Sequence, residues 1–300
     1  MTRHAPRRIT RREALRRIGA GVAAVPLLST LGCAVSHDEP DGGGSGSDSS
    51  TPQDGAASFG TWATGGTAAM TDAASYPDPF TAAASACVMT CQATIGPCHT
   101  TSPERADVSD GWDGIPVRLA LRVLDEACQP LEDAIVEIWH TNYRGVYSGQ
   151  INAACNEDEV DRQAGYFRGY QRTSADGRVD FDTVFPGWYS GRCVHIHFRI
   201  MTGTYDAADG AAATLVSQLF FSDALVASIF QSEPLYADYG QPDTTVATDG
   251  VVGGEDDPSP YVCDVAQMTD GAMLASKTII VRSSSASVCS MQGSGMGGPM

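Results

Sequence analysis

The chain has 300 residues, with 19 Lys and Arg against 36 Asp and Glu, and a net charge of −17. Residues 1–32 hold seven Arg and one Glu, so the remainder carries 12 basic against 35 acidic residues, a net −23. A surface of that sign excludes nucleic acid and anionic membranes as preferred partners and leaves the substrate open.

Residues 1–33 read as an export signal. T-R-R-E-A-L-R places Arg11 and Arg12 directly before an apolar run over 18–31. That run is shorter than the roughly 20 residues a membrane-spanning helix needs. A basic block followed by such a run is a twin-arginine signal, and the twin-arginine export machinery is the expected partner. That route carries proteins already folded, which suits a protein loaded with a metal before export. Cys33 closes the run in T-L-G-C, which resembles a lipoprotein cleavage box with an unusual order of preceding residues. Its fate stays open: a lipid anchor at Cys33, the single membrane contact expected, or none. The chain is expected outside the cytoplasm, extracellular or periplasmic, or lipid-anchored at the surface.

Residues 34–84 read as a flexible linker, beginning with a Gly, Ser and Asp-rich stretch that has little to bury. Residues 85–282 have globular composition, and 283–300 read as a disordered tail. Roughly 200 residues suffice for one domain with a substantial core. Eight cysteines follow Cys33: Cys87, Cys91, Cys98, Cys128, Cys155, Cys193, Cys263 and Cys289. An even number in an exported chain predicts disulfides, with the pairing undetermined. A zinc site at Cys87, Cys91 and Cys98 is the weaker alternative.

Within the globular part the apolar residues recur mostly with period two. Strands are expected over 117–123, 134–139, 178–181, 194–200, 215–221 and 278–281, separated by turns such as D-G-I-P and A-D-G-R. One short helix is expected over 224–230. The fold class is therefore all-β, an antiparallel β-sandwich core with long active-site loops, the longest over 143–171.

In V-H-I-H-F (194–198) the histidines alternate with apolar residues. On a strand, residues i and i+2 share a face, so His195 and His197 project together and are able to hold one metal. A surface strand with two solvated imidazoles is the bland alternative. No Asp or Glu lies within 185–200, but Tyr189 does, and Tyr147 follows W-H-T-N-Y-R-G-V. A phenolate is a hard anionic donor matched to a trivalent ion such as Fe(III).

Three ordered blocks, W-H-T-N-Y-R-G-V-Y-S (139–148), F-R-G-Y-Q-R-T-S-A-D-G (167–177) and F-P-G-W-Y-S-G-R-C-V-H-I-H-F (185–198), resemble the intradiol ring-cleavage dioxygenases, relatives of protocatechuate 3,4-dioxygenase and catechol 1,2-dioxygenase. The likeness runs over about 87–221. It implies a mononuclear non-haem Fe(III) held by Tyr147, Tyr189, His195 and His197. It implies that Tyr189 is the donor that yields to substrate, that Arg192 stabilises charge on the substrate, and that Gln218 lies close to it. The implied substrates are a catechol-type aromatic and O2, and the implied product is a cis,cis-muconate-type diacid. The resemblance also allows a homo-oligomer, for which no segment argues by itself.

Two departures from the family pattern stand out. The segment that often reads G-P-Y-Y in the family is G-P-C-H here, Gly96 to His99, so an aromatic gives way to Cys98. Five residues separate Tyr189 from His195, a short spacing that resembles the secreted branch of the family and implies an open site for bulky catechols. Trp139 and Trp188 are expected as core or pocket wall, and Arg168 as a residue that fixes the loop between the tyrosines. His140 points to the opposite face from Trp139 and reads as structural. The rivals from other classes are a secreted non-catalytic β-sandwich binding module and the same fold loaded with zinc or copper.

Overall fold

Eight strands account for most of the architecture. The computed structural model describes residues 59–81, 87–208, 213–282 and 289–291. The strands are β1 (Pro116–Leu124), β2 (Ile135–Trp139), β3 (Arg168–Arg172), β4 (Arg178–Val184), β5 (His195–Met201), β6 (Ala213–Phe220), β7 (Asp264–Gln267) and β8 (Met273–Ile280). They form two four-stranded sheets, ordered β4-β1-β8-β7 and β3-β2-β5-β6. One hydrophobic cluster draws on both: Leu119, Leu121, Phe181 and Met273 from the first, Val136, Ile138, Ile196 and Phe198 from the second. These residues follow the period-two pattern, and each fully buried aliphatic or aromatic side chain stabilises the fold by about 1.5–3 kcal/mol.

Among the eight described strands, every strand-to-strand pairing is antiparallel except one. β1 and β8 run parallel, from Val117 opposite Met273 to Leu124 opposite Ile280, so the first sheet is mixed rather than antiparallel as expected. The chain between them passes through the second sheet, and a connection of that length imposes no hairpin direction. Sequence patterning also overlooked β3 and β7. Their sequences, R-G-Y-Q-R and D-V-A-Q, lack an apolar alternation, and both strands lie at sheet edges, where polar residues are the rule. The stretch expected as one long loop over 143–171 contains a short helix, α1 (Glu159–Gln163), capped by the Asp158 side chain, and the start of β3. The expected helix over 224–230 is α2 (Asp223–Ser232), capped by Ser222 and buried through Leu225, Val226, Ile229 and Phe230. The short α3 (Pro234–Ala237) follows it.

The expected linker ends earlier than composition suggests. Residues 59–81 pack on the domain: Trp62 joins the core cluster, and Gly66 N–H donates to Gly114 O at 3.0 Å. A single buried Trp outweighs the small-residue composition around it. The expected tail likewise contains an anchored stretch, since Cys289 is bonded to Cys91 and Ser290 bridges to Gln92. The export signal, Cys33 and residues 34–58 lie outside the described residues.

Disulfides join Cys87 to Cys128, Cys91 to Cys289 and Cys98 to Cys155. The three cysteines weighed as a zinc site thus go to three different partners. Cys193 and Cys263 depart from the even-pairing expectation and are buried free thiols.

Candidate functional site

The second sheet turns its core face inward with Ile196 and Phe198. Its other face carries Glu137 and Trp139 on β2 and His195, His197 and Arg199 on β5, with Glu137 opposite Arg199 and Trp139 opposite His197. All seven residues of β5 are buried, so this second face is covered as well. A surface strand with solvated imidazoles is therefore not what β5 is. The Glu137–Arg199 ion pair, at 2.8 Å with both side chains fully buried, lets charged residues sit there because each satisfies the other.

The loop after β2 carries Tyr147, and the turn after β4 carries Tyr189. Asn142 shapes the first segment: its side-chain oxygen accepts from Arg144 N–H at 2.9 Å and Val146 N–H at 3.2 Å. The second segment presses against it. Gly187 N–H donates to Asn142 O at 3.1 Å, and the Thr141 hydroxyl donates to Gly187 O at 3.0 Å. Glycine is required on both sides of this contact. A Cβ on Gly145, which has φ of +72°, would lie 2.0 Å from Trp188 O, and one on Gly187 would lie 2.5 Å from Asn142 O.

With the segments so held, the Tyr147 hydroxyl lies 3.2 Å and the Tyr189 hydroxyl 3.4 Å from His195 Nε2. His195 Nδ1–H donates to Cys193 O at 2.7 Å, which fixes the tautomer and leaves a lone pair on Nε2. Two hydroxyls thus compete for one lone pair, which is poor hydrogen-bond arithmetic. His197 packs at 4.9 Å from the His195 ring and stacks on Trp139 at 4.8 Å and 12°. Its Nδ1 is buried without a hydrogen-bond partner.

Electrostatics follow from burial. Desolvation, with Arg192 adding to it, lowers the His195 pKa to about 3. Desolvation, then the neighbouring His195, holds His197 well below its usual range. Both imidazoles are neutral at neutral pH. Burial, then the adjacent Tyr189, pushes the Tyr147 phenol well above 10, so its ionisation calls for a cation in the site.

Arg192 lies on the turn that joins Tyr189 to β5. Its Nη1 donates to the Tyr189 hydroxyl at 3.3 Å, its Nη2 to Gln218 Oε1, and its Nε to Asp249 Oδ2 at 2.8 Å. Gln218, opposite His197 on β6, is fully buried and also donates to Thr94 O at 3.4 Å. All six residues singled out from sequence are therefore neighbours. Asp249 and Thr94 were not singled out. Each sits in a segment without a repeating pattern, and the sequence holds no signal for them.

The remaining candidates resolve individually. Arg168 is buried and donates to Ser148 O and to Cys98 O, tying the Tyr147 loop to the segment before β1. His140 is buried between Thr141 O and the Thr183 hydroxyl, at 2.8 and 2.7 Å, which accounts for both ring nitrogens. Trp139 is wall to His197, and Trp188 Nε1–H donates to Gly240 O at 2.9 Å. Cys98 and Cys155 pack with Trp139 and Tyr147 in one cluster.

Among the described residues, no group of three or more His, Cys, Asp and Glu is arranged to hold a metal. Any ion bound at the two imidazoles would take its further protein donors from the phenols. Two hard anionic oxygens with two neutral nitrogens suit a trivalent iron better than zinc or copper, which favour softer sets.

Comparison with known proteins points the same way. Residues 97–233, which contain all three sequence blocks, match the family model described as Dioxygenase. A stretch of 125 residues is 34% identical to the protocatechuate 3,4-dioxygenase beta chain of Burkholderia cepacia, covering 38% of this chain and 48% of that protein. Another of 90 residues is 34% identical to catechol 1,2-dioxygenase 2 of Acinetobacter lwoffii, covering 30% of each. The match thus spans about half or less of these relatives. The intradiol ring-cleavage dioxygenase from Tetranychus urticae superimposes with a TM-score of 0.53 at 25% identity, over 65% of this chain and 95% of that one. The order of the tyrosine and histidine blocks, the one sheet whose strands and loops carry them and these likenesses agree, and the region 97–233 is similar to the intradiol ring-cleavage dioxygenases.

Proposed function

We propose that this protein is a mononuclear non-haem Fe(III) dioxygenase that cleaves a catechol-type aromatic between its two hydroxylated carbons. Both atoms of one O2 enter the product, a cis,cis-muconate-type diacid, so catechol plus O2 balances without a further reductant. The observation that carries this reading is the convergence of the Tyr147 and Tyr189 hydroxyls on His195 Nε2, beside a His197 whose Nδ1 has no partner.

Tyr147, Tyr189, His195 and His197 would hold the ion. Bound there, Fe(III) supplies a site for the two substrate oxygens and draws electron density from the ring, which opens it to O2. The chain's own residues do the rest. Tyr147 is 2% exposed and suited to stay as a donor, while Tyr189 is half-buried and suited to leave and accept a substrate proton. Arg192 Nη1 already reaches the Tyr189 hydroxyl, so it would face the negative charge that a bound catecholate brings. Gln218 would orient the terminal nitrogens of that guanidinium. Trp139 and the Cys98–Cys155 bridge exclude water behind His197 and Tyr147.

We read the two sheets as the layers of a β-sandwich, and propose export by the twin-arginine route. The three disulfides fit an oxidising compartment. The short turn between Tyr189 and His195 is read as opening the site to bulky catechols.

The visible spectrum of the purified protein, before and after anaerobic addition of catechol, tests the reading. A broad burgundy band that moves to longer wavelength is expected. A protein that stays colourless after iron reconstitution would overturn it and leave a non-catalytic binding module.

A further inference from the structure

Asp249 stands far from the sequence blocks, yet its carboxylate is fully buried against the site. Oδ2 accepts from Arg192 Nε at 2.8 Å and from Cys193 N–H at 2.9 Å. Oδ1 accepts from Val251 N–H at 2.8 Å and Val252 N–H at 3.3 Å. Four donors hold one side chain in one orientation. The loop that bears it is fixed in turn: Val246 N–H donates to the Asp223 carboxylate at 2.9 Å, at the start of α2, and Thr245 and Thr248 cap the intervening turn reciprocally.

A guanidinium has one Nε–H and two terminal NH2 groups in a rigid plane, so fixing the Nε edge fixes where the others point. Asp249 takes the Nε edge. Nη1 is then aimed at the Tyr189 hydroxyl and Nη2 at Gln218 Oε1. The same oxygen of Asp249 holds the backbone of Cys193, whose carbonyl sets the His195 tautomer. One carboxylate thus contacts both the arginine and the backbone that leads into His195.

Resting on the reading above, we propose that Asp249 is a positioning residue for ring cleavage, acting through Arg192. It holds the guanidinium by its Nε, with Nη1 toward Tyr189 and Nη2 toward Gln218, and its negative charge offsets that of the arginine. Arg192 therefore contributes two aimed hydrogen bonds more than an unpaired positive charge.

The test is a double-mutant cycle on the iron-loaded protein with catechol. Asp249→Asn is expected to keep iron and the visible band while kcat/KM falls about 10- to 100-fold, the scale of a displaced positioning group. Arg192→Gln is expected to fall similarly, and the double variant to fall well short of the product of the two losses, because the aspartate has no guanidinium left to position and only its hold on Cys193 N–H remains to be lost. Should the asparagine variant not accumulate, Asp249→Glu keeps the charge, lengthens the pair and enters the same cycle with the same expectation. A second readout needs no activity. In metal-free protein the Arg192 Nε–H resonance should exchange slowly with solvent and lose that protection in the Asp249 variant. Losses that multiply in the double variant, or an unchanged Nε–H, would overturn the proposal while leaving the dioxygenase reading intact. A wild-type protein without colour or catechol turnover would instead remove that reading and this one together.

Discussion

The two tyrosine segments meet at one imidazole but are built differently. Tyr147 is locked from several directions. Its N–H donates to Cys155 O, its carbonyl accepts from Asn156 Nδ2 at 2.8 Å, and the Cys98–Cys155 disulfide packs beside its ring. Tyr189 sits on an open turn, with Ser190 exposed and tied to Asp243 at the surface, and Arg192 as its nearest polar cover. Tyr147 is embedded in structure that would have to rearrange for it to move. Tyr189 has fewer ties to give up. On the proposed reading, a site that holds an ion and admits a substrate would gain from that inequality.

The largest effect expected comes from removing each hydroxyl in turn. Tyr147→Phe should abolish the visible band and most bound iron, while Tyr189→Phe should retain iron and lose turnover by roughly 10²- to 10⁴-fold, the range for a lost proton acceptor. Metal analysis with steady-state rates separates the two, and equal iron loss in both would end the comparison. Next is the covalent brace. Replacing Cys98 and Cys155 by Ser removes a cross-link spanning 57 residues and should cost about 3–4 kcal/mol, read from denaturant midpoints. Bound iron should fall in that variant too, because the brace serves Tyr147. Gly145→Ala acts where the segments touch. Its added methyl meets Trp188 O at a left-handed backbone position, and a loss on the order of 2–3 kcal/mol is expected in thermal unfolding.

The smallest effect lies in acid. Burial alone would raise the Glu137 pKa, but His99, Ser102 and Arg199 hold it below 4.5. Its stabilising contribution is therefore complete above about 4.5 and is lost as pH falls through the lower folded value. Denaturant midpoints of the wild type should drop with pH in that window, and Glu137→Gln should show a slope smaller by up to about one proton. An unchanged slope would detach Glu137, and with it the His99–Trp139 backing of His197, from the acid response.

How much of this was legible in sequence follows from which patterns sequence can carry. The core strands were readable because Val117, Leu119, Leu121 and Val123 alternate, and the His pair because His195 and His197 sit two apart on such a strand. Tyr147 and Tyr189 stood out as hard anionic donors near the His pair, but their separate roles, and Arg192 altogether, came through their place in ordered blocks. β3 and β7 were hidden because edge strands have one neighbour and need little apolar surface. The parallel β1–β8 pairing was hidden because period two carries no direction. Trp62 shows the limit of composition, since one anchoring side chain ordered a stretch that otherwise reads as linker. Asp249 shows the limit of motifs: its partner Arg192 lies 57 positions away, and no spacing rule spans a variable loop.

The Cys91–Cys289 bond, 198 residues apart, makes nearly the whole domain a closed ring. A pull that enters before Cys91 and leaves after Cys289 is carried by one covalent bond and bypasses both sheets. A cut in any loop between them leaves two pieces still joined. Tension from the N-terminal side would first peel residues 59–81 and lift Trp62 from the core, while the tyrosines and histidines, inside the ring, stay unloaded.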